Sequence, residues 1–425
     1  MSPRLLIVGV PENVMKVMSG SFATAAQDIV HESGSFFEKL ESMNDGIYRA
    51  VLIGSAIADL PPLELAQSLR MQLPTTKIYF VCGFQDAQPP ATLIKNGCDE
   101  VYLFPLDERH FRRTIRSALA TSDDEPHLLS VPAEDLAAGT QVDFDVSVFL
   151  PMNRRYVKIL KSGDPVRERQ SNNELKQLFV AEKDIDRFVK YTREVHKDQG
   201  GSKYEIQQRR VAAVRELYQE FLMAAPTLNF DEGKRLLAKV RELADDIVAS
   251  TKELNFRHEV VVGLNDGEFD LFERALRVAR TAALFAQRTN FIDPVDATVA
   301  GLFMDLGLCV LPLGWTPEDR AEFERHPLES VRLLQERKLI LPPLVLDAIA
   351  QHHERFDGKG FPKQLPEMKI SEGAELLYFV DRLLEMNLVS PGRKLRTVEE
   401  ILDAVSADPG VSPRLSTAVR GQAAA

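Results

Sequence analysis

The stretch QHHERFDGKGFP, residues 351–362, sets two adjacent histidines, His352 and His353, ahead of an acid, an arginine, an Asp-Gly step and a Gly-x-Gly-aromatic-Pro turn. Adjacent histidines fill a core poorly and open a metal site well, because neutral imidazole is a good ligand for Fe, Mn or Zn. Three more residues of suitable type lie in the same region: Asp305 in LFMDLGLCVLP, His326 in ERHPLESVRLL and Asp381 in LLYFVDRLL. Alone, a histidine before proline is commonly a cap or a surface residue. An aspartate inside an apolar helical run is harder to explain that way, since a buried carboxylate needs a cation or strong donors. Three histidines and two such acids in one helical region point to a metal-type site.

The rest of the chain must position these groups. Its 425 residues are too many for one ordinary core, so two or three domains are expected. Hydrophobic residues at 44% and charged residues at 27% are those of a soluble globular chain. The net charge of -11 argues against binding DNA or anionic membrane through a broad basic surface. Cys82, Cys98 and Cys309 are far apart in apolar runs and read as buried, reduced thiols of a cytoplasmic protein. No apolar run approaches the roughly 20 residues of a membrane span, and the N-terminus carries no signal-peptide pattern. The C-terminal tip, GQAAA, is expected to fray.

Residues 1–122 alternate strand and helix signals. RLLIVGV (4–10), YRAVLIGS (48–55), KIYFVCG (77–83) and EVYLFP (100–105) are short, apolar and β-rich, with helical patterns at 62–73 and 108–120. Buried runs separated by helices imply a parallel sheet. This region resembles the receiver domain of bacterial response regulators, an α/β, flavodoxin-like fold, with Pro105 where that fold has its Lys-Pro step. The resemblance does not extend to the chemistry. Gly9 and Val10 stand at the Mg²⁺-binding acid pair, Gly54 at the phosphoacceptor, Cys82 at the hydroxyl residue and Phe104 at the lysine. Asp59 falls about five residues too late to serve. Without oxygen ligands no Mg²⁺ site is expected, and without a carboxylate no aspartyl phosphate. The reading is a pseudo-receiver, a folded interaction platform.

TSDDEPH (121–127) reads as a linker. In QVDFDVSVFLP, Val142, Phe144, Val146, Val148 and Leu150 alternate with mostly polar neighbours. A second strand within 154–166, after a Met-Asn turn, and a strand running into a helix at 178–191 complete a small α+β module over 128–195. It resembles the accessory β module found ahead of some HD-GYP domains. From 200 to 415 the period is helical: Val211, Val214, Leu217 and Phe221 share one face, and Leu236, Val240, Leu243 and Ile247 another.

Residues 255–410 resemble the HD-GYP domain, an all-α bacterial subgroup of the HD phosphohydrolases that hydrolyses cyclic di-GMP. HHERFDGKGFP matches its HHE-R-W/F-DG-x-GYP signature with one change, Tyr to Phe361; HP with the ESVRLL helix and ELLYFVD match two further family helices. The departures are selective. Arg274 occupies the position of the family's first histidine ligand, before the RVA at 277–279. Met304 replaces the histidine of the His-Asp pair, Leu308 the lysine after it, and Leu384 the second acid of the step that begins at Asp381. The loop VLPLGWTPED is shortened and lacks the family's Lys-Pro-Gly. By resemblance, the set for one metal keeps only Asp305 and Asp381, with a cation at Arg274. The set for the other survives as Asp305, His326, His352 and His353.

The expectation is therefore one Fe, Mn or Zn ion at most, or a salt bridge from Arg274 to Asp305 or Asp381 in place of the first metal. Hydrolysis of cyclic di-GMP is expected to be lost or greatly reduced. The chain reads as a signalling protein of two-component type acting through other signalling proteins. The loop Gly358, Lys359, Gly360, Phe361 and Pro362 serves as a contact surface, a role the family resemblance links to diguanylate cyclase domains. A homodimer, a variant phosphodiesterase and a non-hydrolysing cyclic di-GMP sensor stay open.

Overall fold

The computed structural model describes residues 4–22, 25–83, 90–105, 107–119, 128–150, 155–167, 177–197, 202–223, 226–252, 254, 271–312, 319–386 and 397–424. The N-terminal sheet contains β1 (Arg4–Val8), β2 (Ala26–Val30), β3 (Ala50–Ile53), β4 (Lys77–Gly83) and β5 (Glu100–Phe104). All pairs are parallel, in the order β2-β1-β3-β4-β5. That order is a doubly wound one. Accordingly α1 (Glu12–Met18) and α5 (Glu108–Leu119) bury Val14, Phe111 and Ile115 on one face of the sheet. On the other face, α2 (Ser33–Glu41), α3 (Pro62–Gln72) and α4 (Pro90–Lys95) bury Phe36, Leu65 and Leu93. Strand β2 carries no sequence signal: AQDIV is an edge strand with only Val30 buried, and its Asp28 pairs with Arg4 and Lys39.

At Gly54 the fold answers a chemical question. A Cβ there would lie 2.5 Å from the Gly9 carbonyl oxygen and 2.7 Å from Val10 Cα. The turn after β1 is held against this point by Gly54 N–H donating to Val8 O (3.0 Å) and Ala56 N–H donating to Gly9 O (2.7 Å). The position where a receiver carries its carboxylate is thus filled by backbone, and Cys82 and Phe104 beside it are fully buried.

A second, antiparallel sheet contains β6 (Leu128–Pro132), β7 (Val146–Leu150), β8 (Arg155–Leu160) and β9 (Gln177–Ala181), in the order β6-β9-β7-β8. Helix α6 (Ile185–Val195) packs Phe188 and Tyr191 edge-on to Phe144. The alternation at 142–148 is buried as its period requires, while Leu150 is exposed. Strand β6 was not expected; it is short and half-buried. The linker 121–127 and the Met-Asn turn lie outside the described residues.

The helical part comprises α7 (Lys203–Met223), α8 (Phe230–Thr251), α9 (Leu271–Thr289), α10 (Pro294–Phe303), α11 (Arg320–Phe323), α12 (His326–Glu336), α13 (Pro343–Gln351), α14 (Glu372–Met386), α15 (Val398–Ser406) and α16 (Pro413–Ala424). Helix α7 takes its N-terminal cap from the β module: Asp135 accepts from Lys203 N–H and Tyr204 N–H, both at 2.8 Å. Its Arg215 pairs with the buried Asp107 of the α/β part. Small residues let α9 and α10 approach closely; a Cβ on Gly301 would sit 2.9 Å from Ala279 Cα. The C-terminal tip, expected to fray, continues α16 to Ala424. No described helix is long and apolar enough to cross a membrane.

Restoring the missing acid should therefore fail. Gly54→Asp in the full chain is expected to destabilise it by about 2 kcal/mol or more through overpacking against backbone. It should take no phosphoryl group from acetyl phosphate with Mg²⁺. Denaturant unfolding and intact-mass measurement test both; a phosphorylated, fully stable variant would refute this account of the turn.

Candidate metal centre

Four side chains from three separate segments converge. Asp305 follows the end of α10, His326 opens α12, and His352 and His353 follow the end of α13. One potential ligand atom from each lies within 4.8 Å of all the others. Close backbone contact makes this convergence possible. Gly307 lies beneath the start of α12, where a Cβ would fall 2.1 Å from His326 O. Ser330 ties the same junction, donating to Met304 O (2.8 Å) and accepting from Gly307 N–H (2.7 Å).

Hydrogen bonds set the imidazole tautomers. His326 Nδ1 lies 2.7 Å from Phe323 O, and His352 Nδ1 lies 2.7 Å from Ile349 O. A carbonyl can only accept, so each Nδ1 carries a proton and each neutral ring presents a bare Nε2 lone pair. The two Nε2 atoms face each other at 3.1 Å. Asp305 Oδ1 stands 3.6 and 3.8 Å from them. Lone pairs aimed at one point beside a carboxylate repel unless a cation lies between them. Burial, and then His352, lowers the His326 pKa to about 4, and burial lowers those of His352 and His353 as well, so a shared proton is disfavoured. Three imidazoles and one carboxylate oxygen fit a divalent transition metal, and the backbone carbonyls behind two of the rings are the supports that fix such ligands.

The other oxygen of Asp305 is taken. Arg274, on α9, donates from Nε to Asp305 Oδ2 at 2.8 Å and from Nη2 to Asp381 Oδ1 at 2.6 Å. Burial pushes both carboxyls up, but Arg274 overrides it and holds them below the usual carboxylate range. Asp381, read from sequence as a metal residue, lies in the middle of α14 and outside the four-residue cluster; its printed partner is this guanidinium. Met304 is fully buried in the helical core, and Leu308 and Leu384 carry no charge to the site. Residues 313–318 of the shortened loop lie outside the described residues.

The signature loop folds back on its own histidines. A Cβ on Gly360 would meet Arg355 N at 2.4 Å and His353 O at 2.5 Å. Phe361 N–H donates to His353 O (3.1 Å), and its ring stacks on His353 with centroids 4.5 Å apart. Phe323 packs against His326, His353 and Phe361. Buried Glu354 accepts from Lys363 N–H and Leu365 N–H at 2.7 and 2.9 Å. Arg355 forks onto Asp357 and reaches Tyr378 and Asp408. Sequence reasoning passed over Phe323, Ser330, Glu354, Tyr378 and Asp408. Only Glu354 and Arg355 carried a local signal, through their places in the motif.

Two outcomes follow. Metal analysis of the purified chain should find at most one transition ion, lost in His352→Ala; two ions per chain would mean that Arg274 does not exclude the second. In the metal-free chain, His326 has a folded pKa of about 4 against the usual 6.5, so the unfolded state binds more protons between those values. Stability should be full above pH 6.5 and fall as pH drops toward 4, by up to about 1.4 kcal/mol per pH unit for this group. His326→Gln should flatten that slope in denaturant titrations; an unchanged slope would rule out the neutral buried imidazole.

A model of the HD domain family matches residues 244–410. Cyclic di-GMP phosphodiesterase PA4108 of Pseudomonas aeruginosa is 27% identical to this chain over 143 residues, 32% of this chain. The match spans about a third of that relative's own length, 34%. Bd1817, a HDG"Y"P protein from Bdellovibrio bacteriovorus, aligns over 70% of this chain and 100% of its own, at 17% identity and a TM-score of 0.35, a value too low to support a statement about the fold. With the HHERFDGKGFP signature in place, residues 244–410 are an HD domain of the HD-GYP type.

Proposed function

We propose that this chain is a cyclic di-GMP-linked signalling protein whose HD-GYP domain no longer hydrolyses cyclic di-GMP and acts through contacts with other signalling proteins. The observation that carries the reading is the Arg274 fork between Asp305 and Asp381. Phosphodiester hydrolysis at a two-metal centre needs the attacking and leaving oxygens held together. Here a fixed monovalent cation occupies the space between two acids that would face the second ion. A guanidinium supplies charge but no Lewis-acid centre, and its N–H groups are committed to carboxylates. Leu308 adds no cation for the charge that develops in the transition state.

The remaining set, Asp305, His326, His352 and His353, would hold one ion, whose chemistry is to polarise an oxygen ligand. Its role in this reading is to fix three segments and the signature loop in one arrangement. The α/β part, with backbone in place of an acceptor carboxylate at Gly54, fits a platform that is not switched by phosphorylation. In the loop, Phe361 turns inward onto His353, while Lys359 is exposed. The partner surface is therefore Lys359 and its backbone rather than the aromatic ring. A diguanylate cyclase domain is the partner class that the family resemblance favours.

The wild-type chain loaded with Mn²⁺ or Fe²⁺ should turn over cyclic di-GMP no faster than its Asp305→Ala variant. Metal-dependent hydrolysis well above that background, abolished by Asp305→Ala, would make the domain a variant phosphodiesterase and defeat the proposal. Saturable binding of cyclic di-GMP without turnover would favour the sensor instead.

A further inference from the structure

Away from the metal centre, a cavity of about 410 Å³ opens between the turn at 406–411 and helix α16. That volume falls within the range of small-molecule sites, roughly 300–1,000 Å³. None of the four clustered metal-site residues lines it. Phe356, Val411 and Pro413 contribute apolar surface, and Ser406, Ser416 and Arg420 contribute polar surface. Ser416 is only 9% exposed, and the hydroxyls of Ser416 and Ser406 are both buried without a hydrogen-bond partner. Buried hydroxyls in a folded protein are almost always satisfied, so an unpaired pair lining one cavity asks for a ligand. Thr417 does not share this need, since its hydroxyl donates to Pro413 O at 2.9 Å.

The charges of the cavity favour an anion. Asp408 is its acidic lining residue, and that carboxylate is saturated by Arg355, Arg382, Tyr378 and the Gly410 N–H. Arg420 meets Asp403 at 3.1 Å, but both side chains are more than half exposed, so water competes for the pair and the guanidinium can turn inward. We propose that this cavity binds a small organic oxyanion. Its oxygens take the Ser406 and Ser416 hydroxyls and Arg420, and its apolar body lies against Phe356. Occupancy would bear on the signature loop, because Phe356 N–H donates to Gly410 O at 2.9 Å and Arg355 reaches Asp408 one turn away.

Phenyl phosphate and inorganic phosphate, titrated calorimetrically into the full chain, test the two halves of the site. Phenyl phosphate should bind saturably at about 1 mM or tighter and several-fold more tightly than inorganic phosphate. Arg420→Ala, an exposed substitution expected to fold normally, should weaken it about tenfold, and Ser416→Ala by a smaller factor. Hydrogen exchange should slow at 406–420 and at 355–358 on binding. No saturable binding up to about 10 mM, equal affinity for the two probes, or affinity unchanged in both variants would overturn the assignment.

Discussion

The helical domain is organised around one guanidinium. Arg274 reaches from α9 to Asp305 at the end of α10 and to Asp381 in α14, joining three helices through two charge-assisted hydrogen bonds. Neither acid could remain ionised in this interior alone, and removing the arginine would leave two buried carboxylates facing each other, a defect of about 3–5 kcal/mol. The interaction also divides Asp305 between two tasks. Oδ2 belongs to the arginine, and Oδ1 is left to face the histidines. A carboxylate that could bridge two ions becomes one that can serve a single ion.

The signature loop gains its meaning from the same geometry. Its conserved-looking appearance as a string, HHERFDGKGFP, divides into roles that are mostly mechanical. His352 and His353 supply lone pairs, Glu354 gathers two backbone amides, and Arg355 and Asp357 brace the turn. Gly360 allows the chain to pass under residues 353–355, and Phe361 covers the outer face of His353. Losing hydrolysis would leave all of these supports intact, because none of them depends on the residues replaced at 274, 304 and 308. Retention of the whole motif beside an altered ligand set is what a domain kept for its shape requires.

The two upstream units meet the helical part at α7. Asp135 caps that helix from the β module, and Asp107 pairs with Arg215 from the α/β part. Tyr218, a turn further on, donates to Leu302 O at 2.7 Å and stacks on Phe272 and Phe303, next to the helices that carry Arg274 and Asp305. Contacts of this kind make α7 the shared support of all three sets of elements.

The residue string alone determined the strands that are buried on both faces, such as AVLI at 50–53, because continuous apolar runs are legible without context. It determined the helical faces at 214–221 and 236–247, where the period is unbroken, and it determined which ligand types survive. Edge strand β2 was not legible, since a strand with one solvated side and a paired Asp28 has little hydrophobic pattern to show. Nor was the filling of the Gly54 position: a missing carboxylate is visible in sequence, but a backbone carbonyl 2.5 Å from the place its Cβ would need depends on how two turns pack. The sequence left open whether Arg274 would answer Asp305 or Asp381. Tertiary structure decided that it answers both, because only the crossing of α9, α10 and α14 sets residues 31 and 107 positions away within one guanidinium's reach.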